Sequence, residues 1–203
     1  MKLYYGPGTC AVAVWIALEM MGADYEVEKV DLGSEEYRKI NPSGAVPALD
    51  TGEGPIKNQA GAILTYLVNK FPEADLGPDP GLEESYEFDR ISYFLSADYH
   101  PSFWPFFSPE EYTSGKDEAD LQKAKEAAYV KIDEAASLLD SMLEGKDHIY
   151  KDKKTVLDVY AYILSRWLAF TPKSWTKYPN IKNFMRKVGA DPVVKKILAE
   201  SIK

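Results

Sequence analysis

Five residues combine useful chemistry with a position that concentrates it: Tyr5, Cys10, Pro47, Gln59 and His100. Cys10 is the only cysteine, and it follows Gly6-Pro7-Gly8-Thr9, which breaks the chain after a first short strand. It therefore falls at or just before a helix N-terminus, where unpaired amides and the helix dipole favour an anion. A thiolate there is expected to be stabilised, lowering the thiol from its reference value of ~8.5. The same amides could hold the thiolate of a bound ligand, and the bland alternative for Cys10 is a small buried hydrophobe. Position 13 is alanine, so a Cys-x-x-Cys cycle is excluded and only a mixed disulfide with an external thiol could form. Tyr5 ends the strand and can aim its hydroxyl at the same anion, which sends Tyr4 to the opposite face. A strand tyrosine also serves simply as packing.

Pro47 lies in Asn41-Pro42-Ser43-Gly44-Ala45-Val46-Pro47-Ala48-Leu49, a turn feeding a short apolar strand. Proline removes a sheet hydrogen bond, so its presence beside a strand calls for a reason. A cis Val46-Pro47 peptide, which turns a free backbone edge toward a ligand, is one; a trans turn is the commoner arrangement. Gln59 opens Gln59-Ala60-Gly61-Ala62-Ile63-Leu64, and its amide can both donate and accept. His100, in Tyr99-His100-Pro101-Ser102-Phe103-Trp104-Pro105-Phe106-Phe107, would titrate near ~6.5 if unperturbed. It suits a donor to a thiolate or a proton relay, or a helix-end histidine satisfied by a carbonyl.

The elements that must position these groups change character near residue 80. Before it, strand-like Lys2 to Tyr5, a helix from about Cys10 to Met21 and a strand from Tyr25 to Val30 give a βαβ order. An irregular or helical piece over Ser34 to Ile40 follows. Val46 to Leu49 and Pro55 to Lys57 read as a hairpin around Asp50-Thr51-Gly52-Glu53-Gly54, and Gln59 to about Lys70 as a helix. From Phe71 to Gly81 three prolines and two glycines mark a linker. Beyond it only helical signals remain: Glu83 to about Tyr99, Lys116 to Leu143 ended by Gly145, and a helix through Phe170 opened by a capping box at Thr155-Val156-Leu157-Asp158. Asp191-Pro192 caps a last one. The expected organisation is an α/β domain over 1–72, a linker over 73–82 and an all-helical domain over 83–203.

The net charge of −8 offers no basic footprint for nucleic acid or an anionic membrane. The run before Gly6-Pro7 is too short for a signal peptide, and no apolar segment approaches the ~20 residues of a membrane span. With one cysteine, a cytoplasmic location is expected. Two histidines, His100 and His148, and one cysteine argue against a structural zinc site. The proline-broken segment from Pro101 to Pro109 is expected to turn some of the rings Tyr99, Phe103, Trp104, Phe107 and Trp167 into a cleft facing Cys10, suited to an apolar, electrophilic molecule.

The run Met1-Lys2-Leu3-Tyr4-Tyr5-Gly6-Pro7-Gly8-Thr9-Cys10, with the Val46-Pro47 and Gln59 segments, resembles the glutathione-binding half of the cytosolic glutathione transferases. It is most similar to the bacterial beta, or cysteine-type, class. The capping-box helix and its Ser165-Arg166-Trp167 continuation extend the resemblance through the second half. It implies a thioredoxin-like domain with a mixed four-stranded sheet plus a helical domain, glutathione as co-substrate, no metal and a homodimer. It further implies Cys10 beside the glutathione sulfur, Tyr5 in a secondary part and His100 approaching from the helical domain. Thr9, Cys10, Val46, Pro47, Gln59 and Ala60 would form the glutathione site. Two departures stand out. Ala60 occupies a place where relatives carry a hydroxyl, and the short link from Val30 to Asn41 assigns no lysine to the glycyl carboxylate, Arg38 and Lys39 being its local cations. The implied activity is conjugation to small apolar electrophiles. Thiol–disulfide exchange, peroxide reduction or dehalogenation through Cys10, and a non-catalytic binding or regulatory role, are the alternatives.

Overall fold

The computed structural model describes residues 1–203. Its elements run β1 (Lys2–Tyr5), α1 (Ala11–Met20), β2 (Glu26–Lys29), α2 (Glu35–Ile40), β3 (Ala48–Asp50), β4 (Lys57–Asn58) and α3 (Ala60–Lys70). A sheet in the order β2-β1-β3-β4 results, with β1 parallel to β2 and antiparallel to β3, and β3 antiparallel to β4. This is the mixed four-stranded sheet expected from the sequence. Leu3 pairs in register with Val27 on one side and Leu49 on the other, so the middle of β1 is enclosed.

Strand alternation sorts the two faces. Leu3 and Tyr5 join the main core, while Tyr4 turns to the far face and packs with Tyr37 of α2 and Ala48. Helix α1 is apolar on every side, because Ala11 through Leu18 are all buried between the sheet and the helical half. One continuous cluster of 48 buried residues runs through both halves, and only the small group of Tyr4, Tyr37 and Ala48 lies apart from it.

After Phe71, a 3₁₀ turn at Pro72–Ala74 leads to α4 (Leu82–Tyr93). The expected single helix to Tyr99 is interrupted: Phe94–Tyr99 forms a wide π turn in which the His100 amide donates to the Leu95 carbonyl. Pro101 explains the widening, since it has no N–H for the Ala97 carbonyl and its ring would press on that group. Two short helical pieces follow, α5 (His100–Ser102) and α6 (Trp104–Phe107), each with a proline in its first turn. The long α7 (Glu118–Met142) is capped by Asp117, which accepts from the Asp120 amide at 2.8 Å. Helix α8 (Val156–Arg166) starts at the expected capping box, where the Thr155 amide donates to Asp158 at 2.8 Å. It ends at Arg166, and Trp167–Phe170 continues as a 3₁₀ turn. Helix α9 (Pro179–Val188), not among the elements expected from the sequence, and α10 (Pro192–Glu200), capped by Asp191, complete the chain. No helix is long and apolar enough to cross a membrane.

The two halves also meet where α3 passes the π turn. A Cβ on Gly61 would lie 2.5 Å from the Ser96 hydroxyl and 3.3 Å from that of Ser92. Gly61→Ala is therefore expected to cost about 1–3 kcal/mol by overpacking. In Gly61→Ala/Ser96→Ala the nearest obstacle is gone, and denaturant melts should recover most of the loss. Equal stability of the single and double variants would contradict this contact.

Candidate active site

Cys10 caps α1, and its own φ and ψ are already helical. Its thiol is only 6% exposed and donates to the Val46 carbonyl at 3.5 Å. Two effects compete at the sulfur. Burial disfavours the anion, while the amides of Cys10 and Ala11 favour it, and burial wins, pushing the thiol up to about 12. The expected lowering is thus reversed: the helix start acts in the expected direction but is outweighed by desolvation. At neutral pH Cys10 is an S–H donor rather than a nucleophile.

Tyr5 also departs from expectation. Its ring lies in the core, edge-on to Trp15 at 4.8 Å, and it does not line the cleft. The alternation of β1 that turns Tyr4 toward α2 puts Tyr5 under α1, too deep to reach a ligand. Thr9 does line the cleft, its hydroxyl donating to the Gly6 carbonyl at 2.7 Å and tightening the turn before Cys10.

The Val46-Pro47 peptide is cis, in agreement with the proline beside the strand. Both residues line the cleft beside Cys10. Gln59 has φ 67° and ψ 111°, a conformation uncommon for a residue with a side chain. Such strain collects where surrounding structure fixes a working geometry. Here it turns the chain sharply into α3, so that Ala60, Gly61 and Ala62 present the start of that helix to the cleft. First-turn amides have no partner within their helix, which makes this end an anion cradle.

The helical half supplies the facing wall. The π turn delivers His100, whose ring sits 5.1 Å from Trp167 and 5.8 Å from Trp104. Its Nδ1 lies 3.3 Å from the Tyr160 hydroxyl. Burial lowers His100 to about 4, so it is neutral at physiological pH. An unfolded chain takes up this proton near ~6.5, so the stability held by His100 is complete above that value and declines as pH falls toward 4. A proton NMR titration should show the His100 ring unchanged down to pH 5; an inflection near 6.5 would contradict its burial.

Trp104, Phe107 and Trp167 line the cleft as expected, but Tyr99 and Phe103 do not. Both are fully buried, and Tyr99 exchanges a hydrogen bond with Ser165 at 3.1 Å. They support the wall from behind, Phe103 meeting Trp167 edge-on at 5.4 Å. Trp167 ties the halves together, its indole N–H donating to the Gly8 carbonyl at 2.9 Å. Sequence reasoning missed Tyr160, Ser92, Ser96, Phe170 and the acids Asp89 and Glu111. Tyr160 was within reach, because it precedes Trp167 by seven residues, about two helical turns, and so shares its face. Burial and the nearby Cys10 both hold its hydroxyl in the protonated form.

The cleft between these walls has a volume of about 1350 Å³. None of its 29 lining residues is lysine or arginine. Its positive ends are therefore the starts of α1 and α3, and its formal charges are the carboxylates of Asp89 and Glu111. No group of three or more His, Cys, Asp or Glu side chains is arranged to hold a metal ion.

Comparison with known proteins gives consistent matches. A family described as "Glutathione S-transferase, N-terminal domain" matches residues 8–70, and "Glutathione S-transferase, C-terminal domain" matches residues 97–201. Glutathione S-transferase GST-4.5 of Xanthomonas campestris pv. campestris is 33% identical over 170 residues, 82% of each chain. A sphingomonad glutathione S-transferase complexed with glutathione superposes with a TM-score of 0.88 at 32% identity, over 99% of this chain and 98% of the other. A bacterial beta class enzyme of Sphingomonas chungbukensis gives 0.87 at 31% identity, over 99% and 98%.

Proposed function

Because the chain belongs to the glutathione S-transferase family, we propose that its cleft binds glutathione and directs the sulfur at a small apolar electrophile. The observation that carries this reading is the pairing of walls: the helix starts at Cys10 and Ala60 on one side face the rings of Trp104, Phe107 and Trp167 on the other. The cleft exceeds the ~300–1,000 Å³ that one small ligand fills, leaving room for two reactants side by side.

The Val46 backbone beside the cis proline offers hydrogen bonds to the peptide of the bound thiol. The start of α3, with Gln59, takes its γ-glutamyl carboxylate, and Asp89 suits its ammonium. The sulfur sits at the start of α1, where the amides and the Cys10 S–H favour the anion. That anion attacks the electrophilic carbon; a C–S bond forms, the carbon–halogen bond of an aryl halide breaks, and halide leaves with the electron pair. The thiol proton passes to solvent, with neutral His100 and the Tyr160 hydroxyl placed to relay it by hydrogen bonding. Orientation of two reactants and stabilisation of the sulfur anion are the sources of rate. Exchange through a Cys10 mixed disulfide is the weaker reading, because that thiol stays protonated and buried.

We further place the protein in the cytoplasm as a homodimer that meets through the α4 face, where Tyr86 and Tyr93 are exposed. Retention on immobilised glutathione and conjugation of a chlorodinitrobenzene test the function. Cys10→Ala is expected to keep conjugation within about tenfold, a change of under ~1.4 kcal/mol in the barrier. Failure to bind glutathione at all would overturn the reading.

A further inference from the structure

Glutathione carries an ammonium and two carboxylates, and the cleft provides unequally for them. The start of α3 can hold one carboxylate, and Asp89 can meet the ammonium. The second carboxylate finds no cation, because no lysine or arginine lines the cleft and His100 is neutral. The loop from Leu32 to Ala45 lines one flank with neutral groups only, and its Asn41 and Ser43 side chains bond the loop's own backbone. The Asn41 amide donates to the Ala45 carbonyl at 2.7 Å and accepts from the Ser43 amide at 3.4 Å. The Ser43 hydroxyl accepts from the Ala45 amide at 3.2 Å. Of the loop's two cations, neither Arg38 nor Lys39 lines the cleft, and Arg38 donates to the carbonyls of Gly33 and Pro42 at 3.2 Å each.

Resting on the reading that a γ-glutamyl-cysteinyl thiol occupies the cleft, we propose that the site selects C-terminally neutral members of that class. These are thiols whose glycyl carboxylate is masked as an ester or amide, and they bind at least as tightly as glutathione itself. Asp89 and Glu111 repel an unpaired carboxylate, whereas the capped thiol retains the ammonium, the γ-glutamyl carboxylate and the sulfur that the cleft does provide for. The ligand loses one negative charge in a cleft whose own side chains are net negative. At water-exposed separations of several ångströms this favours the capped thiol by about threefold, and salt screens the difference.

The test compares glutathione with its glycyl monoethyl ester and glycyl amide on the full-length protein. Calorimetric Kd values are measured at low and high salt, and KM for each thiol with a chlorodinitrobenzene. The inference expects a Kd for ester and amide at or below that of glutathione, with the gap narrowing at high salt. A Kd above that of glutathione overturns it, since some group then holds the glycyl carboxylate. Arg38→Ala locates such a group: the inference expects the ratio of the two Kd values to be unchanged. Weakened glutathione binding with unaltered ester binding would show Arg38 swinging in. Binding without conjugation by either thiol would remove the transferase reading, while the ratio of Kd values would still uphold or overturn the selectivity; binding by neither removes both.

Discussion

Iodoacetamide at pH 7 is expected to modify Cys10 at least about a thousandfold more slowly than an unperturbed cysteine, because a thiol pushed by burial from the ordinary ~8.5 up to about 12 has that much less thiolate. Only the thiolate attacks, so the rate should climb about tenfold per pH unit through pH 10, well past the range in which an ordinary thiol levels off. Burial at 6% exposure slows the reagent further. The measurement is intact mass against time, with a cysteine-containing peptide in the same tube. Modification at a rate matching the peptide would mean that the helix start outweighs desolvation, and would return Cys10 to the role of nucleophile. The result also separates the two enzymatic readings, since a sulfur alkylated that slowly at pH 7 is equally slow to attack a disulfide there.

Asp158→Ala is expected to lower stability by about 3–5 kcal/mol. Asp158 is 2% exposed and accepts from the amides of Thr155 at 2.8 Å and Ile149 at 2.9 Å, with His148 Nδ1 at 3.2 Å. Removing the carboxylate leaves two buried donors without an acceptor, each at about 1–3 kcal/mol. For a chain of this length that corresponds to a fall in Tm on the order of 10 °C. Calorimetry decides it, and a fall under about 3 °C would show that the capping carboxylate is dispensable. Asp158→Asn keeps an acceptor and should lose about half as much. The variants also test a pH signature. Hydrogen bonding to Asp158 raises His148 above its ordinary 6.5, so its stabilising contribution is full below that value and is lost as pH rises through the elevated one. That slope should be absent from both variants.

The fold was largely legible because its signals are local. Pro-Gly punctuation between Phe71 and Gly81, the Thr155 capping box and the short apolar runs of β1 and β3 each fix an element without reference to distant residues. The cis proline at 47 and the turn into α3 at Gln59 lie where the sequence points. What sequence could not weigh was the balance at Cys10. The favourable helix start is written in residues 6–10, but the desolvation that defeats it comes from packing against α8 and the Val46 loop, tens of residues away. Tyr5 failed for a related reason: alternation along β1 tells which residues share a face, not which helix covers that face. Among the aromatics, the break at Pro101 announced irregular backbone, yet the division of Trp104 and Phe107 from Tyr99 and Phe103 depends on the π turn, for which the only local sign is a proline after an otherwise helical run. The acids Asp89 and Glu111 sit among other charged residues, and nothing in their sequence neighbourhoods marks them as belonging to a cavity.

The wide turn at Phe94–Tyr99 accommodates one more residue per revolution than the helix on either side of it. Each α-helical residue advances the azimuth by about 100° and the axis by about 1.5 Å. The imidazole of His100 therefore owes its heading to a phase offset, and shortening this turn by a single position would swing it out of alignment with Tyr160 and Trp167 while leaving the helices before and after intact.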